Sequence, residues 1–180
     1  VIKAKNKENN NLVLGTASHL IEQKRIGNIL NAIELLKHNE RITFKIAGTG
    51  PLEHDLKQQA CLIQNNLISI EFLGEVKNML DFYDSIDLFI LPSKGESFGL
   101  VVLEALARNV PVIVYSDSGT CVDFIQPGIN GFVVENDKEL SSKISELAGN
   151  ITYNKLIENT LRSDLSKFDI RNTSIDLSLI

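Results

Sequence analysis

The chain has 180 residues, of which 43% are hydrophobic and 23% charged, and its formal net charge is -5 at pH 7. This length supports one domain with its own core, and the composition is that of a soluble globular protein. The acidic balance argues against nucleic acid as a partner, because duplex binding requires a basic face. No apolar run approaches the ~20 residues that cross a bilayer.

Apolar segments alternate with segments of helical periodicity along the chain. Six predicted strands cover Leu12–Ala17, Ile42–Ala47, Ile68–Leu73, Asp87–Leu91, Val110–Tyr115 and Phe132–Val134. Predicted helices cover Ile26–Lys37, Pro51–Ile63, Met79–Tyr83, Leu100–Ala107 and Asp137–Leu147, with Asp137 as a cap, and a short helix holds Val122, Phe124 and Ile125. Alternating strands and helices indicate an α/β fold, a Rossmann-like doubly wound parallel sheet with helices on both faces.

The two ends of the chain differ from this pattern. Residues 1–11 are polar and do not begin with methionine, which predicts a linker within a longer protein. Residues 12–149 form the predicted domain. The tail, residues 150–180, contains a polar helix predicted over Ile151–Phe168, which we expect to pack beside the core without joining the sheet.

The two cysteines, Cys61 and Cys121, lie far apart among apolar residues and have no metal-like spacing. They predict two buried free thiols, which suit a reducing compartment. We therefore expect a cytoplasmic domain.

The junction after the fourth predicted strand carries the strongest chemical pattern. It runs Pro92-Ser93-Lys94-Gly95-Glu96-Ser97-Phe98-Gly99 and continues into an apolar helix. Ser97 is the predicted N-cap, which leaves the amides of Gly99, Leu100 and Val101 free. Free amides and the helix dipole bind phosphate, and such junctions are where open α/β sheets bind anions.

Two glutamates flank this helix start. Glu104 lies in a helix with almost no polar face, which predicts a buried carboxylate that must be hydrogen-bonded. A ribose diol would satisfy it, and so would backbone or tyrosine donors in the core. Glu96 precedes the helix and is either a ligand for sugar hydroxyls or an ordinary solvated acid.

Basic residues follow the first predicted strand. Lys24 is a point charge suited to a diphosphate, and His19 adds a donor. The alternative interpretation of Lys24 and Arg25 is a solvated helix start, but cations there oppose the helix dipole. An anionic ligand would explain their position.

The turn Gly48-Thr49-Gly50, with Pro51 at the first position of the next helix, is half of a dinucleotide fingerprint. It fits equally a tight turn with no ligand.

These motifs resemble the C-terminal, donor-binding domain of retaining glycosyltransferases of family 4 (glycosyl transferases group 1), which have the GT-B fold. The central match is a pair of glutamates with seven residues between them, Glu96 and Glu104. Other matching segments follow the family's order: Gly48-Thr49-Gly50-Pro51-Leu52, Leu91-Pro92-Ser93, Pro111-Val112-Ile113 and Gly128-Ile129-Asn130-Gly131. The resemblance extends from about Leu12 to Leu147.

The resemblance implies a site for a nucleotide-diphosphate sugar, with a UDP- or GDP-sugar as the expected donor and no metal or further cofactor. Lys24 and His19 would bind the diphosphate together with the amides at the start of the apolar helix. Val76 would lie against the base.

Two further roles, and the acceptor, also follow from the resemblance. Glu104 would bind the ribose and Glu96 the transferred sugar, with Lys24 and Glu96 as the catalytic residues. The acceptor, a glycan or a lipid-linked glycan, would bind through a preceding domain, and the full-length protein would contact the inner face of the membrane peripherally.

This sequence departs from the family in two places. His19 stands where arginine is usual, and Ser118-Gly119 stands where a Gly-Gly pair is common. Histidine is mostly uncharged at neutral pH, which implies a weaker diphosphate clamp. A sugar-nucleotide epimerase of the same fold and a non-catalytic binding module are the alternative functions.

Overall fold

The computed structural model describes residues 11–36, 39–148 and 150–162, which include one six-stranded sheet. The strands are β1 (Asn11–Ala17), β2 (Arg41–Ala47), β3 (Ile68–Gly74), β4 (Leu88–Leu91), β5 (Val112–Tyr115) and β6 (Gly131–Val134). The α-helices are α1 (Ile26–Glu34), α2 (Glu53–Ile63), α3 (Met79–Asp84), α4 (Leu100–Ala107), α5 (Asp137–Ala148) and α6 (Asn150–Arg162). Two 3₁₀ helices span Glu22–Lys24 and Thr120–Phe124.

Neighbouring strands all run parallel, in the order β3-β2-β1-β4-β5-β6. This confirms the predicted doubly wound, Rossmann-like sheet. The strand order reverses between β1 and β4, and open α/β sheets bind ligands outside the carboxyl ends of the strands at such a switch point. Residues 18–25 follow β1 and residues 92–99 follow β4, so these two loops border the crevice.

Two hydrophobic clusters cover the two faces of the sheet. One packs α1, α2, α5 and α6 against side chains such as Leu14 and Ile90. The other packs α3 and α4 against Ala17 and Phe89. Adjacent residues of β4 therefore enter different cores, which is why its sequence is a continuous apolar run.

The start of α4 differs from the prediction. Its N-cap is Gly99, which has left-handed backbone geometry with φ 67°, so the predicted N-cap Ser97 is wrong. The left-handed turn at Gly99 directs the chain into the helix, and no side chain within the described ranges caps its first amides. The carbonyl of Ser97 instead accepts a hydrogen bond from the hydroxyl of Thr120 at 2.6 Å.

Two other predicted helix starts are also displaced. Pro51 lies in a turn, and α2 begins two residues later, after its N-cap Leu52. Asp137 lies inside the first turn of α5, whereas Asn136 accepts hydrogen bonds from the amides of Lys138 and Glu139, both at 3.1 Å. Asn136, one residue before the helix, thus supplies the cap from the N-cap position.

Asp137 has a tertiary role instead of a capping one. Its carboxylate accepts hydrogen bonds from Asn28, Asn31 and the hydroxyl of Tyr115, at 2.9, 3.0 and 2.7 Å. It therefore joins α5 to α1 and β5.

The cysteine prediction is half correct. Both thiols are free, and Cys121 is buried, but Cys61 is exposed. The inner face of α2 consists of Leu56, Ala60 and Ile63. Cys61 follows Ala60 by one residue, a rotation of about 100° that turns it toward solvent.

Several predictions concern the ends of elements. α1 ends at Glu34, and Lys37, the predicted end, lies outside the described residues. The predicted linker, apart from Asn11 in β1, and the predicted helix end at Phe168 also lie outside them. None of the helices in the described ranges combines the length and apolar character needed to cross a membrane.

Candidate functional site

Lys24 and Glu96, the two predicted catalytic residues, form an ion pair across the switch point. Lys24 ends the 3₁₀ helix that follows β1, and Glu96 lies in the loop after β4. The ammonium of Lys24 donates to Oε1 of Glu96, and the two side chains are only 21% and 16% exposed. Glu96 is therefore not a freely solvated loop acid, since its carboxylate has a charged partner and a largely shielded position.

Three loops meet around this ion pair: the β1–α1 loop (18–25), the β4–α4 loop (92–99) and the β5 loop (116–119). The amide of Lys94 donates to the carbonyl of Gln23 at 2.9 Å. The amides of Gly95 and Glu96 donate to the carbonyls of Asp117 and Ser118 at 2.9 and 3.1 Å. The β4–α4 loop is thus hydrogen-bonded to its neighbours on both sides.

The β5 loop fits closely against the backbone of Glu96. Gly119 has φ 76°, and a Cβ there would lie 2.3 Å from the carbonyl oxygen of Glu96. Ser118 is buried, and its hydroxyl donates to the carbonyl of Ser93 at 2.8 Å and accepts from the amide of Tyr115 at 3.2 Å. Ser118, a departure from the family pattern, therefore serves to attach this loop to the one that follows β4.

The N-cap of α4, Gly99, lies three residues after Glu96. The first-turn amides of Leu100 and Val101 have no acceptor within the helix, because a helix leaves its first amides unpaired. Gly99 allows the close approach of Cys121, since a Cβ on Gly99 would lie 2.7 Å from the Cβ of Cys121. Burial, together with the charge of Glu96, raises the pKa of the Cys121 thiol to about 11.

Glu104 is exposed, contrary to the predicted buried carboxylate. The helix α4 is apolar in sequence, but Leu100 on its outer side is 61% exposed, so the lack of polar residues does not imply burial on every side. The hydroxyl of buried Tyr83 donates to Oε2 of Glu104 at 2.7 Å. Burial and this hydrogen bond raise the pKa of the Tyr83 phenol, which keeps Tyr83 a donor.

Arg25 has a different role from Lys24. Its guanidinium binds the carboxylate of Asp117 and the carbonyls of Pro92 and Ser93. These hydrogen bonds to Pro92, Ser93 and Asp117, here called the Arg25 clamp, explain why a cation lies beside a helix start without an anionic ligand. The sequence left a tyrosine open as the donor to Glu104, and Tyr83 is that donor. The contacts of Arg25 were not predicted, although the unfavourable charge at the start of α1 indicated that Arg25 had a special role.

The remaining predicted residues lie around the same edge of the sheet. His19 is exposed after β1, and Val76 is partly buried between β3 and α3. Within the described residues, no hydrogen bond or ion pair joins His19 or Glu104 to the Lys24–Glu96 pair. No group of three or more His, Cys, Asp or Glu side chains in these same ranges is arranged to hold a metal ion.

A protein-family model matches most of the chain. The model described as glycosyl transferases group 1 matches residues 1–162. The capsular polysaccharide biosynthesis glycosyltransferase CapM of Staphylococcus aureus is 25% identical over 142 residues, which cover 77% of this chain and 37% of CapM. The chain therefore spans well under half the length of that relative.

Solved glycosyltransferase structures share the fold. The catalytic domain of the cholesterol-alpha-glucosyltransferase from Helicobacter pylori aligns with a TM-score of 0.74 at 21% identity, over 87% of this chain and 98% of that one. HepE from Anabaena, solved in complex with UDP-glucose, aligns with a TM-score of 0.73 at 22% identity, over 95% of this chain and 50% of that one. These alignments confirm a Rossmann-like fold whose structural neighbours are GT-B glycosyltransferases.

Proposed function

The chain belongs to the glycosyl transferases group 1 family, and on that premise we propose that it is the donor-binding domain of a retaining hexosyltransferase of family 4. Its donor would be a nucleotide-diphosphate sugar, and UDP- and GDP-sugars are the first candidates. The Lys24–Glu96 ion pair beside the start of α4 carries the proposal, because it joins a cation for a diphosphate to a carboxylate for sugar hydroxyls at the switch point.

The proposed arrangement of the donor follows the edge of the sheet. Lys24, His19 and the amides of Gly99, Leu100 and Val101 bind the diphosphate. The carboxylate of Glu104, oriented by Tyr83, accepts hydrogen bonds from the ribose hydroxyls. Val76 lies against the base and Glu96 binds the sugar.

In the proposed reaction, the bond between the anomeric carbon and the diphosphate oxygen breaks, and its electron pair leaves with the diphosphate. The acceptor hydroxyl bonds to the same face of the anomeric carbon, which retains the configuration, and its proton passes to the departing diphosphate. Negative charge grows on the leaving group in the transition state. Lys24 and the amides of α4 stabilise that charge as preorganised donors, and Glu96 orients the sugar.

The wider role is a proposal as well. HepE is solved with UDP-glucose, and CapM is named for capsular polysaccharide biosynthesis. By analogy, we propose that the full-length protein transfers a sugar to a glycan or lipid-linked acceptor held by a preceding domain. It would act in the cytoplasm, peripherally at the inner membrane face, in polysaccharide, lipopolysaccharide or glycoconjugate biosynthesis.

Calorimetric titration with UDP, GDP and ADP tests the donor site. We expect one of the three to bind, and Glu104→Gln to weaken its binding while leaving the fold intact by circular dichroism. Unchanged affinity in Glu104→Gln would remove the ribose assignment. Absence of binding by all three nucleotides would favour a non-catalytic module, and release of a free epimerised sugar would favour an epimerase.

A further inference from the structure

Arg25 connects all three loops of the candidate site. Its Nε donates to the carbonyl of Pro92 at 2.6 Å, and a terminal nitrogen donates to the carbonyl of Ser93 at 3.2 Å. The two terminal nitrogens reach both oxygens of Asp117, at 3.0 and 2.5 Å. The guanidinium carbon also lies 5.1 Å from the centre of the Tyr115 ring.

The backbone of Arg25 is in a conformation that side chains rarely adopt. Its φ of 47° and ψ of 38° lie in the left-handed region. Arg25 is both the C-cap of the 3₁₀ helix Glu22–Lys24 and the N-cap of α1. Such a conformation is unfavourable for a residue with a Cβ and persists where surrounding contacts hold it. Lys24 is the preceding residue, so the same turn sets the direction of its side chain.

We propose that Arg25, together with Asp117, is a positioning residue that fixes Lys24 and Glu96 relative to each other for binding of the donor diphosphate. This inference rests on the proposed function. Arg25 itself supplies the turn after Lys24, and its guanidinium holds the strand end from which the Glu96 loop departs. Asp117 holds the other end of that clamp, and its backbone carbonyl binds Gly95 in the same loop.

The charge of Asp117 supports this clamp. The hydrogen bonds from Arg25 hold the pKa of the Asp117 carboxyl below its usual value, so the pair remains ionised at neutral pH. A planar guanidinium matches a carboxylate at two points and still has a nitrogen for backbone carbonyls, which an ammonium cannot do. When the clamp is lost, the protein groups that bind the diphosphate are still present but no longer preorganised. Preorganisation contributes directly to affinity.

The test measures UDP and GDP binding by calorimetry in wild type, Arg25→Gly, Arg25→Lys and Asp117→Asn. Glycine accepts the left-handed backbone, so Arg25→Gly removes the clamp without imposing strain. We expect Arg25→Gly to weaken nucleoside diphosphate binding about tenfold, the value of one charge-assisted hydrogen bond, while the thermal midpoint stays near that of wild type. The affinity of Arg25→Lys for the nucleoside diphosphate should lie between the affinities of wild type and Arg25→Gly.

Two further measurements distinguish a positioning role from a merely structural one: binding of a nucleoside, and binding by a double variant. The affinity for the corresponding nucleoside, which lacks the diphosphate, should be unchanged in Arg25→Gly and in Asp117→Asn. Combining Arg25→Gly with Lys24→Met should add little to the effect of Lys24→Met alone, because Arg25 acts through Lys24. Arg41→Ala, which removes an exposed arginine at the amino end of β2, is the matched control.

The outcomes are distinct. If wild type binds UDP or GDP and Arg25→Gly binds it equally well, the positioning role is overturned and the proposed function stands. Equal losses for nucleoside and nucleoside diphosphate also overturn it, since they indicate general disruption. If wild type binds none of the nucleotides, the proposed function fails and this inference fails with it.

Discussion

The carboxylate of Glu96 occupies one hydrogen-bonding position of the Lys24 ammonium. A diphosphate that binds Lys24 therefore competes with Glu96, and the two negative groups also repel each other. We expect Glu96→Gln to bind UDP or GDP more tightly, by about fivefold or more, because even a solvent-exposed ion pair contributes up to about 1 kcal/mol and this pair is more shielded. Transfer of sugar should nevertheless fall, since Glu96 is proposed to bind the sugar itself.

Calorimetry with the nucleoside diphosphate alone isolates this effect from sugar binding. Glu22→Gln is the matched control, because Glu22 is an exposed acid in the β1–α1 loop that carries Lys24, and its replacement makes the same change of charge. A gain in affinity of equal size in Glu22→Gln would assign the effect to net charge. Weaker binding in Glu96→Gln would contradict the proposed competition.

The two cysteines should react at very different rates. The raised pKa of Cys121, about 11, leaves about one thiol in a thousand as thiolate at pH 8, and the side chain is also buried. Cys61 is exposed. We expect Ellman's reagent at pH 8 to modify one thiol rapidly in the native chain and two in 8 M urea, and Cys61→Ser to abolish the rapid phase. A rapid phase that survives in Cys61→Ser would contradict the burial of Cys121.

Individual residues were predictable where their chemistry is visible in the local sequence. The order of strands places Lys24 and Glu96 on loops at the same edge, so their proximity follows from topology. A tyrosine was one of the donors that the sequence left open for Glu104, but Tyr83 itself was not identifiable, because their contact joins two helices and depends on tertiary packing. Arg25 similarly needed the positions of Pro92 and Asp117, which lie far away along the chain.

At the level of elements, the start of α4 depends on glycine. Gly99 and Gly95 both have positive φ, 67° and 65°. A Cβ on Gly99 would meet Cys121 at 2.7 Å, whereas a Cβ on Gly95 would have none of the described atoms within 4 Å beyond its chain neighbours. Gly95→Ala should therefore lower the free energy of unfolding by about 1 kcal/mol, the cost of left-handed geometry. Gly99→Ala should lower it by roughly 2–4 kcal/mol, because steric overlap adds to that cost.

Urea unfolding followed by circular dichroism measures both variants on the same scale. Equal losses in Gly95→Ala and Gly99→Ala would contradict the close packing of α4 against the 3₁₀ helix that contains Cys121. The pair also explains why Ser97 is a wrong prediction for the cap. Serine is a preferred N-cap residue, and only the backbone angle of Gly99 identifies where the helix begins.

Across the whole molecule, α6 completes the core on one face of the sheet. Tyr153 and Leu156 are 4% and 3% exposed and belong to the same cluster as the inner faces of α1, α2 and α5. Asn159 and Thr160 donate to the carbonyls of Gly128 and Ile129 in the turn before β6, at 2.9 and 3.0 Å. The polar sequence of this segment predicted a helix beside the domain but gave little indication of how deeply its apolar residues would be buried.

The tail helix should therefore be indispensable for stability. A chain ending at residue 148 loses the burial of Tyr153 and Leu156, which we expect to lower the free energy of unfolding by roughly 3–6 kcal/mol, since each large apolar side chain contributes about 1.5–3. Such a loss is a large share of the 5–15 kcal/mol that is typical of a domain. A chain ending at residue 162 keeps α6 and is the control. Urea midpoints that agree between the two truncations would contradict the packing of α6, whereas a lower midpoint only in the shorter chain would show that the domain extends beyond its last strand and α5.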